Sequence, residues 1–158
     1  PSLRAMAGCD LVFDALVKPA HLPHLLTLAQ RHPDLRLVID HAGKPDIGAA
    51  QWQPWADAMA RLASQTGAYC KLSGLLTEAG PGPARGAVQP WAAHVLACFG
   101  AGRLVWGSDW PVLELASNYA QWLAETQQLL GGLSLQAQAA VMGGNARRLY
   151  RLAAPSVA

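Results

Sequence analysis

Four short apolar runs, each rich in β-branched or aromatic residues, recur along the chain with room for one helix between each pair. They are 11–17, 35–39, 68–72 and 103–106, so 24 to 35 residues separate successive starts. Antiparallel neighbours can be joined by two residues, whereas parallel neighbours need a crossover of about a dozen or more. The rhythm therefore predicts βαβ units and a parallel sheet. The stretches between the runs carry helical periodicity. Leu22, Leu25, Leu26 and Ala29 fall at i, i+3, i+4 and i+7, with Pro23 suited to a first turn. Trp52, Trp55, Ala56, Met59 and Leu62 repeat the stripe, as do Trp91, Val95 and Phe99, and then Tyr119, Trp122, Leu123 and Leu130. Leu135, Met142, Ala146 and Leu149 form a further expected face. Ser134 is its expected cap, Gly143-Gly144 a break, and Asn145 the expected cap of a short closing helix. Gly80-Pro81-Gly82-Pro83 reads as an exposed loop, because the strand–helix rhythm resumes after it. Residues 1–158 are thus expected to form one domain without an internal linker.

Composition narrows the class. With 52% hydrophobic residues the chain of 158 is too apolar for disorder. No uninterrupted apolar stretch approaches the roughly 18 residues of a membrane span. A net charge of +2 without a basic cluster argues against a nucleic acid or a membrane surface as partner. Cys9, Cys70 and Cys98 are odd in number and far apart. They read as buried free thiols in a reducing compartment, so a cytoplasmic location is expected. The sequence opens on Pro1, which suggests a piece of a longer chain.

Strand parity adds a second constraint. In the first run Asp14 and Lys18 share a face, and in the third Tyr69, Lys71 and Ser73 oppose Cys70 and Leu72. Central parallel strands are usually apolar on both faces, so polar residues at period 2 point to a face that meets something wet or charged. A barrel interior or its mouth supplies that. Four βα units are half of a (β/α)8 barrel, whose usual length is about 250 residues.

Polar residues cluster just past the strand ends, where ligands sit in such folds. Asp40-His41-Ala42-Gly43-Lys44-Pro45 follows the second run, Lys71-Leu72-Ser73-Gly74 closes the third, and Gly107-Ser108-Asp109-Trp110-Pro111 follows the fourth. His41 can serve as metal ligand, carbonyl polariser or proton shuttle, or as a hydrogen-bonded structural residue. Asp109 can act as a general base on water or as a ligand. Lys44 and Lys71 are candidate substrate clamps or ion-pair partners, and Asp14 offers Lys71 a mate. Asp40 reads as structural, accepting loop amides. Trp110 is placed to line a pocket. His21, His24, His32 and His94 read as structural. Phosphate-binding glycine loops and serine-hydrolase elbows are absent.

Taken in order, DHAGKP, YCKLSGL followed by TEA, RLVWGSDWPV and GGNARRLYRL resemble the amidohydrolase superfamily, and within it the lactonases of sugar acids and aromatic acids. The opening LVFDALVKPAHLPHLLTLAQRHPDLRLVIDH is similar to the same group. The resemblance implies a TIM-barrel hydrolase of which this chain is the C-terminal half, the last four βα units. It implies a small-molecule lactone as substrate, Asp109 as general base and His41 as electrophilic or ligand residue; for that chemistry Lys44, Lys71 and Trp110 are the candidate substrate contacts. A divalent metal, zinc, is implied in the full-length protein, with His41 and Asp109 as possible ligands. The family's His-x-His on its first strand has no match here, and two ligands are fewer than the three protein ligands of a catalytic zinc site, so the piece alone is expected to be inactive. Two other readings stay open: a metal-dependent amidohydrolase such as an aromatic-acid decarboxylase, and a non-catalytic half barrel that packs on a partner or forms a homodimer.

Overall fold

Each predicted run supplies a strand in the computed structural model, which describes residues 1–82 and 86–153. In chain order the elements are α1 (Ser2–Gly8), β1 (Val12–Ala15), α2 (Leu22–Arg31), β2 (Arg36–Ile39), α3 (Gln53–Gln65), β3 (Tyr69–Leu72), α4 (Leu75–Glu78), α5 (Gln89–Phe99), β4 (Leu104–Trp106), α6 (Tyr119–Leu130), α7 (Leu135–Ala139) and α8 (Asn145–Leu149). The strands pair in parallel in the order β1-β2-β3-β4. Their register sets Asp14 beside Val38 and Lys71 beside Val105. Pro83, the last residue of the expected glycine-proline loop, lies outside the described residues.

The sheet has two unlike faces. Ala15, Leu37, Ile39, Cys70, Leu72 and Leu104 point into the larger core with the helices. There α2 buries Leu22, Leu25, Leu26 and Ala29, the stripe its spacing predicts. Helix α3 buries Trp55, Ala56, Met59, Leu62 and Ala63, and α5 buries Trp91, Ala92, Val95 and Phe99. Full burial of a side chain such as Leu contributes about 1.5–3 kcal/mol relative to exposure, so these stripes fasten the helices to one side of the sheet. On the opposite face Val38 and Val105 form a small second core with Val12 and Tyr69, capped by Ala146, Leu149 and Tyr150 from the chain's end.

That last segment departs from the expected pattern. Leu135 is 82% exposed, while Val141 and Met142 join the larger core and Ala146 and Leu149 the smaller one. Val141 and Met142 lie in a π-helical turn, Ala140–Gly144, in which Gly143 leaves helical conformation, and this throws α8 out of phase with α7. Ser134 does cap α7, accepting from the amide of Ala137 at 3.3 Å. Asn145 is no cap: it is fully buried inside α8 and donates to the carbonyls of Ala101 and Leu104 at 2.7 and 2.6 Å. Helix α1 buries nothing, which is why apolar periodicity did not reveal it. Among the described residues no helix is long and apolar enough to cross a membrane.

Candidate active site

At the carboxyl end of β2 the backbone turns left-handed. His41 (φ 49°), Ala42 (φ 50°), Gly43 (φ 70°) and Lys44 (φ 48°) all take this conformation, which residues with a Cβ rarely adopt. Packing holds the turn in place. Ala42 is fully buried and its carbonyl accepts the Trp55 indole N–H at 2.7 Å, while a Cβ on Gly43 would stand 3.0 Å from Leu22. The turn also undoes simple alternation. Leu37 and Ile39, which parity would set on the same face as His41, point to the helices. The His41 ring nonetheless swings across the end of β3.

There the ring meets Ser73 and Gly74. Ser73 Oγ and His41 Nδ1 are 2.9 Å apart. A Cβ on Gly74 (φ 68°) would stand 2.7 Å from the ring, closer than real Cβ contacts come. The other ring nitrogen, Nε2, lies 3.6 Å from Asp109 Oδ1. That is beyond a hydrogen bond, so the two groups face a common spot without closing on each other. Asp109 (φ 60°) leaves β4 through its own left-handed residue. Its carbonyl accepts the amide of Leu113 at 2.8 Å, and the carbonyl of Gly107 accepts the Trp122 indole N–H at 2.9 Å. Both ends of this short segment are thereby tied down.

Both lysines are held by carboxylates. Lys71 Nζ stands 2.6 Å from Asp14 Oδ1 and 2.6 Å from Asp40 Oδ1. Partial burial works against its charge, but the two carboxylates outweigh that and hold its proton above the ordinary lysine range. Asp40 thus serves as a counter-ion rather than an acceptor of loop amides. Tyr150 donates its hydroxyl to Asp14. Burial first, and that hydrogen bond next, push its pKa up to about 12. Lys44 pairs with Glu78 of α4. Trp110 is 65% exposed and donates its indole N–H to Glu114 at 3.0 Å, so within this chain it lines no enclosed pocket. A cavity of about 730 Å³ opens at the other end of the strands, between Leu35–Leu37 and Thr66–Tyr69, and touches neither His41 nor Asp109. Chemistry rather than cavity size marks the site. Its supporting residues Ser73, Gly74, Glu78 and Tyr150 were assigned no role from sequence, since their partners lie 32 to 136 residues away.

A metal is a fair question for this donor set. Among the described residues no group of three His, Cys, Asp or Glu side chains could hold an ion. His41 and Asp109 supply two donors, short of a catalytic zinc site's three, so the residues present do not make a metal site by themselves.

Residues 1–152 match the family model described as amidohydrolase. The chain belongs to the amidohydrolase family. It is 50% identical over 160 residues to an L-fucono-1,5-lactonase of Burkholderia ambifaria, covering 99% of this chain and 55% of that one. An L-fucono-1,5-lactonase of Burkholderia multivorans is 36% identical over 163 residues, covering 93% of this chain and 53% of that one. The chain spans about half the length of these curated relatives. Among solved structures, an amidohydrolase of Burkholderia multivorans with bound HEPES superposes with a TM-score of 0.88 at 33% identity, over 96% of this chain and 56% of that one. A second crystal of that amidohydrolase holds zinc and gives a TM-score of 0.85 at 34% identity, with the same coverage. Four parallel strands with their helices are accordingly half of the amidohydrolase (β/α)8 barrel.

Proposed function

We propose that the protein carrying this chain hydrolyses the lactone ring of a sugar acid. The observation that carries the reading is the approach of His41 and Asp109, from turns two strands apart, to one spot at the carboxyl edge of the sheet. Lactone hydrolysis needs water made nucleophilic and a carbonyl oxygen stabilised as it becomes an oxyanion. In this reading the Asp109 carboxylate takes a proton from water as the oxygen attacks the carbonyl carbon. His41, presenting Nε2, donates a hydrogen bond to the developing oxyanion. The tetrahedral intermediate collapses by breaking the ring C–O bond. The leaving oxygen takes up the proton and a hydroxy acid departs. Zinc, if the whole protein holds it, would supply further polarisation of the carbonyl.

The lysines bear on the substrate class. Lys71 and Lys44 are matched by Asp14, Asp40 and Glu78, so neither lysine stands as a free cation for a substrate carboxylate. This part of the rim offers carboxylate oxygens that accept from hydroxyls, and ammonium N–H groups that can still turn one donor to a substrate oxygen. That suits a neutral polyhydroxylated lactone, with the exposed Trp110 as an aromatic wall. The named activity of the relatives, on L-fucono-1,5-lactone, is the first substrate to try.

The test is proton release from L-fucono-1,5-lactone by the full-length protein, followed with a pH indicator beside an Asp109→Asn variant. Hydrolysis well above the spontaneous rate is expected, with a fall of roughly 10²-fold or more in the variant. Full turnover by Asp109→Asn would overturn the general base. No turnover of this or other sugar lactones by the wild type would overturn the function.

A further inference from the structure

Ser73 follows directly after β3 with 2% of its surface exposed, and its hydroxyl stands against His41 Nδ1 at 2.9 Å. Two glycines shape the space around this contact. A Cβ on Gly107, just past the end of β4, would lie 3.2 Å from Ser73 Cβ, and one on Gly74 would collide with the His41 ring at 2.7 Å. Ring and hydroxyl therefore sit in a slot that leaves each little freedom to turn. The three groups form a row: Ser73 Oγ, the His41 imidazole, the Asp109 carboxylate.

Serine, histidine and aspartate in a row are also the parts of an acyl-transfer triad. Here access argues the other way. A nucleophile must be open to the substrate carbonyl, and this hydroxyl is the buried end of the row. A serine that cannot be reached can still act through the histidine. Which nitrogen of a histidine does the work is decided by what the other one bonds to.

We infer that Ser73 is a positioning residue: its hydroxyl occupies Nδ1 of His41 and so reserves Nε2 for work beside Asp109. A hydroxyl suits this task because it both donates and accepts. It donates to Nδ1 when that nitrogen is bare and accepts from it when protonated, so the ring keeps one orientation through either state. Gly74 allows the ring to approach, and Gly107 lets Ser73 sit below it. The catalytic consequence rests on the lactone-hydrolysis reading, whereas the ring geometry does not.

Two readouts on the full-length protein separate the two claims. The first is the long-range ¹H–¹⁵N spectrum of the histidine rings, assigned with a His41→Gln variant. The second is steady-state hydrolysis of L-fucono-1,5-lactone. Ser73→Ala should change the Nδ1 resonance of His41 and lower kcat about three- to tenfold, the worth of one neutral hydrogen bond, with KM nearly unchanged. Ser73→Thr, which keeps the hydroxyl, should restore the resonance and most of kcat, and serves if the alanine variant fails to fold. An Nδ1 resonance that is the same in wild type and Ser73→Ala overturns the inference. So does a loss in Ser73→Ala as deep as that of Asp109→Asn together with an acyl adduct on Ser73 in the wild type, since that would make Ser73 the nucleophile. A wild type that hydrolyses no lactone but shows the Nδ1 change supports the ring assignment and overturns the lactone reading alone.

Discussion

Gly74 takes a left-handed backbone, φ 68°, with the His41 ring where a Cβ would be. Two separate costs therefore meet in Gly74→Ala. The conformation disfavours any side chain by about 1 kcal/mol, and the methyl must displace the ring. The expected outcome is a loss of about 1–2 kcal/mol in urea unfolding together with a fall in activity larger than that of Ser73→Ala. Unchanged stability and turnover would show that the ring has room to move. At this scale the sequence was legible in part. The polar ends DHAGKP and GSDWP marked His41 and Asp109 because a residue type capable of chemistry stood at the same edge of successive strands. The direction of His41 was not legible, because period-2 alternation presumes extended backbone and the turn at Asp40–Gly43 is left-handed. The states of Lys44 and Lys71 stayed open for a similar reason: a lysine's partner depends on which carboxylate the fold brings near, and Glu78 sits on a four-residue helix that no periodicity announces.

Between elements, the clearest tie is the cluster that joins β1, the end of β2, β3 and the end of α8. Lys71 and Tyr150 both hold their protons more tightly in the fold than in the unfolded chain. A group with a raised pKa adds stability that is complete below its unfolded value and fades as pH rises toward its folded value. The contribution of Tyr150 should thus be complete below about pH 10, the ordinary tyrosine value, and fade as pH climbs toward its folded value of about 12. Tyr150→Phe should make the decline between pH 10 and 12 shallower in chemical denaturation. An identical slope would place the titrating group elsewhere. Asn145 gives a second measurement. Replacing it with Ala leaves the carbonyls of Ala101 and Leu104 without their donor inside the protein, an expected cost of about 1–3 kcal/mol. A cost near zero would mean that water reaches them. Parallel pairing was legible from spacing, since each crossover had length for one helix. The phase of the last segment was not, because Gly143-Gly144 signalled a break without saying how far the helix turns across it.

Across the whole molecule, the order β1-β2-β3-β4 leaves β1 and β4 each with one edge unpaired among the described residues. Open edges of parallel strands are templates for further pairing. Produced by itself, residues 1–158 should associate, with sedimentation velocity showing dimers or larger species that grow with concentration. A single monomeric boundary at high concentration would mean that the edges are protected. The half-barrel architecture was legible because a wet face recurred at period 2 on strands otherwise spaced for βαβ units. The contact between Asp10 and Arg151 was not, since nothing in either end's local pattern refers to the other. That contact and the bond from Tyr150 to Asp14 have a consequence for synthesis. A chain is made from its first residue onward at roughly 5–20 residues per second, so the partner of Asp14 emerges many seconds after it. Asp14 and Tyr150 are 136 positions apart. Until then Val12 and Val38 lack the lid that α8 provides. The nascent chain carries an uncovered apolar strip on the ribosome, and the arrival of α8 is what closes it.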